Sequence, residues 1–275
     1  MSTPAYAAFD VALQEGVATV TLKGPGKGNA MGPDFWRECP QVFAALDADA
    51  AVRVILLRGA GNNFSFGLDL LAMAGELGAL LGATAGPVER TQLLTTIERM
   101  QAALHSVFRC TKPVVAAVHG WCIGGGLDLV AAADVRVCSA SARFSLREVK
   151  VAMVADVGSL QRLPHLIGDA ATRELALSGR DIDASRARDL GLVSEVFGDD
   201  DALWVGAAAL ATQIALNPPL VVQGIKRVMN ERIQGEIEGG LRAVARWNAA
   251  FLGSEDLGEA MAAFMEKRPG RFQGR

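Results

Sequence analysis

Histidine and tyrosine are scarce, three His and one Tyr in 275 residues, which leaves little imidazole or phenol for chemistry. Cysteine offers no more. Cys39, Cys110, Cys122 and Cys138 form no C-x-x-C pair and no zinc-type spacing, so no metal site is expected and each reads as a small buried hydrophobe. An excess of positive charge is also absent, with 27 Lys and Arg against 30 Asp and Glu, which excludes a polybasic nucleic-acid binder. Every apolar stretch is broken well short of the roughly 20 residues a membrane span needs. The first thirty residues carry Asp10 and Glu15 without a basic leader, so the expectation is a soluble, unexported, cytoplasmic protein. What is plentiful is hydrocarbon, at 51% of residues, and glycine, at 30 residues, where average usage gives roughly 19. That composition suits one large core with many tight strand-to-helix turns. Carboxylates become the first suspects for chemistry.

Along the chain, Phe9 to Lys23 alternates around Gln14-Glu15-Gly16 and reads as a hairpin. Gly32-Pro33-Asp34 opens a helix to about Asp47, with Pro40 expected to kink it. Arg53 to Arg58 and Lys112 to Val118 are nearly continuous apolar runs, the mark of strands covered on both faces. Each leads through a glycine-containing turn into the same tetrapeptide, Gly-Leu-Asp-Leu, at 67–70 and again at 126–129, and then into a helix. The shared context suggests a repeated strand–turn–helix unit. Further helices are expected over Val88–Phe108 and Gly158–Leu166, and strands over Asp134–Cys138 and Leu192–Phe197. Four tail helices follow, at about Ala202–Leu216, Pro219–Asn230, Glu236–Leu252 and Glu255–Met265.

Two features carry chemistry. Gly124-Gly125-Gly126 stands between a strand and a helix, where unpaired first-turn amides can hold an oxyanion. It is not the G-x-G-x-x-G of a dinucleotide site, and Asp128 occupies the place of a pyrophosphate. Two such helix starts could converge on one thioester oxygen, or both glycine turns could serve packing alone. The second feature is three carboxylates in apolar surroundings, Asp128, Glu148 and Asp156, within 29 positions. Burial there would penalise the charged form and tune a carboxyl toward proton exchange near neutrality. The competing reading is helix caps or ion pairs, with Arg136, Arg143 and Arg147 available as partners.

Asn29-Ala30-Met31, Phe64 to Leu70, Lys112 to Gly120, Ile123 to Leu129 and Gln161-Arg162-Leu163-Pro164 before Ile167-Gly168 together resemble the crotonase (enoyl-CoA hydratase/isomerase) superfamily, essentially end to end. The resemblance implies an α/β fold, a spiral of repeated ββα units over 1–200 holding an acyl-CoA site, with a helical assembly region over 201–275. It further implies homotrimers or hexamers built as dimers of trimers, with no cofactor beyond the coenzyme A of the substrate. By the same matching, the amides of Leu68 and Gly125 form the oxyanion hole. Phe66, Gly67, Asp69 and Leu70 line the coenzyme A site, and Lys27 stands near its mouth.

Typical hydratases of the superfamily carry a glutamate after the triple glycine, a second in a Pro-Glu pair, and a glycine eight positions on. Here those places hold Asp128, Glu148 preceded by Arg147, and Asp156. This triplet resembles the Δ3,5-Δ2,4-dienoyl-CoA isomerase subgroup, which implies a 3,5-dienoyl-CoA to 2,4-dienoyl-CoA isomerase of fatty-acid β-oxidation. Moving two double bonds removes a proton at C2 and returns one at C6. Two separate carboxyls suit that task, Glu148 at C2 and Asp156 at C6, with Asp128 polarising or positioning. The alternatives are an enoyl-CoA hydratase and, from another class, a binding protein of the same fold without chemistry. Bulky Phe66 and Leu68 around Gly67 depart from the smaller residues common in the superfamily.

Overall fold

The computed structural model describes residues 5–24, 27–82 and 85–275, and the side chain of Lys27 lies outside the described part. A six-stranded sheet forms the centre, built from β1 (Phe9–Gln14), β2 (Val17–Leu22), β3 (Val54–Gly59), β4 (Val114–Val118), β6 (Val135–Ser139) and β9 (Glu195–Phe197), in that order. β1 and β2 form the expected antiparallel hairpin, and every later pairing in this sheet is parallel.

The continuous apolar runs of β3 and β4 follow from two-sided burial. Ile55, Leu57, Val114, Ala116 and Val118 enter the main core. Their alternates Val54, Leu56, Val115 and Ala117 meet Leu203, Ala207, Ala211 and Ala215 of the helix α8 (Asp200–Ala215) on the opposite face. Those four recur every fourth residue, so one small-residue stripe lies flat on the strands. The region beyond 200 therefore begins with a helix that seals the sheet.

A second layer explains the repeat. Met31 bridges Leu68, Ser65 bridges Cys122, and β5 (Trp121–Ile123) pairs in parallel with β7 (Arg143–Ser145). β7 then pairs antiparallel with β8 (Asp181–Asp183). Each long strand of the first sheet is thus followed by a short segment in the second layer, then by a turn and a helix. That is the ββα spiral. The helices following these turns are α1 (Pro33–Ala48), α2 (Leu70–Leu77) leading into α3 (Pro87–Arg109), and α4 (Gly125–Ala131). After β7 come a short 3₁₀ turn at Glu148–Val151 and then α5 (Ser159–Ile167), α6 (Asp169–Ser178) and α7 (Ala184–Asp189).

α1 runs through Pro40 as a single helix. One expectation needs correction. The tail helices expected at 219–230 and 236–252 are one, α9 (Pro219–Phe251), 33 residues long. Gly235, Gly239 and Gly240 do not interrupt it because Ile237, Leu241, Val244, Ala245 and Asn248 form a continuous buried face. At Gly240 the missing Cβ makes room for Gln161, whose Cγ would lie 2.7 Å from it. The chain closes with α10 (Glu255–Glu266). Among the described residues no single helix is long and apolar enough to cross a membrane, although α8 with α9, bent by 104° at their junction, meet that length and composition test as a pair.

Candidate active site

The backbone hole is built by three loops meeting. Gly67, at φ +77°, packs so closely on the second glycine turn that a Cβ there would stand 2.6 Å from the Ile123 carbonyl and 2.8 Å from Gly125 N. A side chain at this position would force the two turns apart. The Gly67 carbonyl accepts from Met31 N at 2.7 Å, and in a trans peptide the following N–H points the opposite way. Leu68 N–H is thereby turned out of the backbone network. Gly125 N–H is the first amide of α4, while the Gly124 carbonyl accepts from Leu127 N and Asp128 N inside the helix. Among the described residues neither Leu68 N nor Gly125 N donates to any acceptor. Two adjacent free amides can stabilise a developing oxyanion.

The rest of the turn is held from behind. Asn29 Nδ2 donates to the carbonyls of Ala60 and Asn63 at 2.8 Å and of Phe64 at 3.1 Å. Ser65 Oγ donates to the Asn29 carbonyl and accepts from Gly67 N. Trp36 Nε1 donates to the Met31 carbonyl at 3.0 Å. Of the residues expected to line a ligand, Phe66 is partly exposed and its ring covers Gly28, where a Cβ would be 2.5 Å away. Asp69 caps α2 by accepting from Ala72 N at 2.9 Å, and Leu70 begins that helix.

The three carboxylates gather beside this hole. Asp128, on α4, is fully buried; Oδ1 accepts from the Ser159 amide that opens α5, and Oδ2 has no partner among the described residues. Glu148 follows β7 in the 3₁₀ turn, and its Oε1 would be 3.1 Å from a Cβ on Gly124. Gly124, at φ +52°, thus lets this carboxyl abut the start of α4. Glu148 Oε2 is buried without a partner among the described residues. Asp156 Oδ2 accepts from Asn248 Nδ2 of α9 at 2.7 Å, and the Asp156 carbonyl accepts from Gln101 Nε2 of α3 at 2.6 Å.

The ion-pair alternative fails for all three, since no salt bridge reaches them among the described residues. Arg136 donates to the carbonyls of Leu192 and Ala133, Arg143 to those of Ala140, Ser141 and Ala142, and Arg147 binds Asp181 through both oxygens. Without an ion pair, all three carboxyls are raised above the ordinary carboxylate range. Burial pushes Asp128 up to about 6, opposed by the Ser159 hydrogen bond. Burial pushes Asp156 up to about 7, opposed by Asn248. Glu148 is raised well above the ordinary range, first by burial and then by the Asp128 charge beside it. Free amides for an oxyanion next to carboxyls that exchange protons near neutrality make a site for enolate chemistry α to a carbonyl.

The enoyl-CoA hydratase/isomerase family profile matches residues 12–275. The chain belongs to that family. It is 44% identical to the peroxisomal Delta(3,5)-Delta(2,4)-dienoyl-CoA isomerase of Arabidopsis thaliana over 91% of this chain and 90% of that protein. Identity is 41% with the mitochondrial protein of the same name from Dictyostelium discoideum, over 94% of this chain and 87% of that one. Among solved structures, the enoyl-CoA hydratase/isomerase from Pseudoalteromonas atlantica T6c superposes with a TM-score of 0.84 at 28% identity, covering 97% of this chain and all of that one.

In this member of the family Leu68 N and Gly125 N stand side by side and Asp128, Glu148 and Asp156 lie within one another's electrostatic reach, while Phe66, Asp69 and Leu70 continue the first turn into α2. Sequence reasoning missed the supports. Gln101 lies in a long helix with no local signal, and Asn248 is separated from Asp156 by 92 positions. Arg162, within Gln161-Arg162-Leu163-Pro164, is buried, at 2% exposure, one turn into the helix whose first amide holds Asp128.

Proposed function

We propose that this enzyme is an acyl-CoA isomerase of fatty-acid β-oxidation that converts a 3,5-dienoyl-CoA to the 2,4-dienoyl-CoA. The thioester oxygen accepts from Leu68 N–H and Gly125 N–H. Glu148 takes the C2 proton, giving a dienolate whose charge is spread to C6, and Asp156 returns a proton at C6. As the C2–H bond breaks and the C6–H bond forms, the double bonds move from C3 and C5 to C2 and C4, so atoms and charge balance. The observation that carries this reading is Asp156, a third carboxyl held by Asn248 and raised to about 7. Hydration needs no such group.

Forward transfer requires Glu148 ionised and Asp156 protonated. In the unliganded protein both carboxyls are raised, Glu148 well above the ordinary carboxylate range and Asp156 to about 7. The competent form is one of two one-proton states, and the pair titrates as a unit. On this reading kcat/KM rises through about pH 7, where Asp156 gives up the second proton, and falls only at distinctly more alkaline pH.

Coenzyme A enters as part of the substrate, and the mechanism uses no metal or redox cofactor. We take Phe66, Gly67, Asp69 and Leu70 as the coenzyme A lining, with Lys27 at its mouth. Assembly is proposed as a trimer or hexamer and the compartment as cytoplasm, although the relatives' names assign them to peroxisomes or mitochondria. One observation favours a hydratase as the second reading, namely the close approach of Asp128 and Glu148 beside the hole, which could activate water. Offering the purified protein a 3,5-dienoyl-CoA and a 2-enoyl-CoA separates the two. The isomerase reading expects the dienoyl thioester to turn over far faster, and preferred hydration of the enoyl thioester would reverse the order.

A further inference from the structure

Arg162 is a buried cation without a salt bridge among the described residues. Its Nη2 donates to His105 Nδ1 at 3.1 Å, Nη1 makes a long contact of 3.5 Å with the Val157 carbonyl, and Nε has no partner among the described residues. The guanidinium lies over the Phe108 ring, 5.6 Å from its centre. Room is kept for it deliberately. Gly158, at φ +138°, would put a Cβ 1.6 Å from Arg162 Nη1, so a side chain there and the arginine cannot coexist. A buried charge is costly unless something compensates it.

The charge that acts on Arg162 is that of Asp128. Asp128 Oδ1 is bound by Ser159 N, the first amide of α5, and Arg162 stands three residues further along the same helix. A carboxylate at the start of a helix with a cation in its first turn is held in its ionised form from two directions. The neighbours of Arg162 do not compete for it. His105 of α3 can only accept at Nδ1, since a guanidinium has no acceptor, so the imidazole is neutral with its proton on Nε2. Nε2 faces Glu238 Oε1 of α9 at 3.6 Å, with Arg109 of α3 also near the ring. On α6, Asp169 pairs with Arg173 and Glu174 with Arg180 at the surface. Among the described residues His165 of α5 is occupied by Glu236 of α9.

We propose that Arg162 is a positioning residue of the reaction: it is the counter-charge that keeps Asp128 a fixed anion, so that Asp128 orders the proton on Glu148 and Asp156 without carrying one itself. This rests on the isomerase reading for its consequence in turnover, but not for its electrostatics. Burial lowers Arg162 only to about 10, opposed by the Asp128 charge, so it stays cationic at every working pH. Without that charge Asp128 takes up a proton within the working range, and the set of three loses its order.

The test uses Arg162→Met, Arg162→Lys and the unaltered protein. In Arg162→Met the acid limb of kcat/KM should move up by about one pH unit, with roughly tenfold lower kcat/KM at neutral pH, the size of one unit charge at an intermediate effective dielectric. Arg162→Lys restores the charge and should return the limb to its place. A role in packing alone would lower the rate equally at all pH values, would leave the limb where it was, and would overturn the proposal. Should Arg162→Met fail to fold, titration of the carboxyl carbons in the unaltered protein by carbon-13 NMR gives the answer. Asp128 ionising at lower pH than both Asp156 and Glu148 supports the proposal, and Asp128 ionising after either contradicts it. Because that titration needs no substrate, it stands apart from the isomerase reading, which fails separately if the unaltered protein does not turn over a 3,5-dienoyl-CoA.

Discussion

Burial of Asp156 outweighs the single hydrogen bond from Asn248 and raises this carboxyl to about 7, the range that the proposed proton transfer needs. That has a cost in stability with a definite sign. A carboxyl whose folded-state value is raised from 3.8 to about 7 stabilises the fold at low pH, and the benefit is lost as pH rises through 7. Asp156→Asn cannot ionise, so its thermal midpoint should exceed that of the unaltered protein by more at pH 8 than at pH 5. Equal differences at the two pH values would mean that Asp156 is not raised. The neighbouring Asn248 acts in the opposite sense by favouring the ionised form. Asn248→Leu should therefore shift the acid limb of kcat/KM to higher pH, and an unmoved limb would reduce Asn248 to packing. At this scale the sequence is legible where chemistry is local. Asp128, Glu148 and Asp156 stand out because charged residues in apolar runs are rare. Gln101, Asn248 and Arg162 were not assigned, because their roles depend on which distant element they face.

Turns, more than helices, make the geometry of the candidate site. Gly67 and Gly125 come from different ββα units, and contact between their turns sets Leu68 N–H and Gly125 N–H side by side. Gly67→Ala should therefore cost stability through its left-handed φ and lower kcat by on the order of 100-fold through displacement of a donor. Gly61 provides the control. It too is left-handed, at φ +65°, but a Cβ there meets nothing within 4 Å, so Gly61→Ala should cost stability and leave kcat near normal. Comparable rate losses in both variants would indicate that strain rather than the hole is responsible. Elements of the first sheet could be read from the sequence because β3 and β4 are buried on both faces and therefore continuously apolar. The second layer could not. β5, β7 and β8 have three residues each, and single-residue bridges such as Met31 with Leu68 carry no periodicity at all. The continuity of α9 is not legible because Gly235 and the charged Glu231 and Arg232 interrupt the apolar pattern. In the fold these charges lie on the solvent side, and the buried face continues past them.

The whole molecule leaves one long surface unaccounted for. Leu220, Val221, Ile225, Val228 and Met229 of α9 are exposed on this chain, Leu220 by 84%, and clustered exposed apolar side chains of this kind mark interaction surfaces. Light scattering at micromolar concentration should return the mass of a trimer or hexamer, and Ile225→Glu with Val228→Glu should shift it toward the monomer. A monomeric mass for the unaltered protein would contradict the proposed assembly. The central claim, however, is that two separate carboxyls move protons between two distant carbons, and it is tested by following formation of the 2,4-dienoyl thioester in the ultraviolet with unaltered protein and Asp156→Asn. The account predicts a loss of roughly 100-fold or more in Asp156→Asn, with exchange of the C2 proton in deuterium oxide retained through Glu148 and the oxyanion hole. Equal rates of dienoyl formation by the two proteins would remove Asp156 from the reaction and contradict the isomerase mechanism.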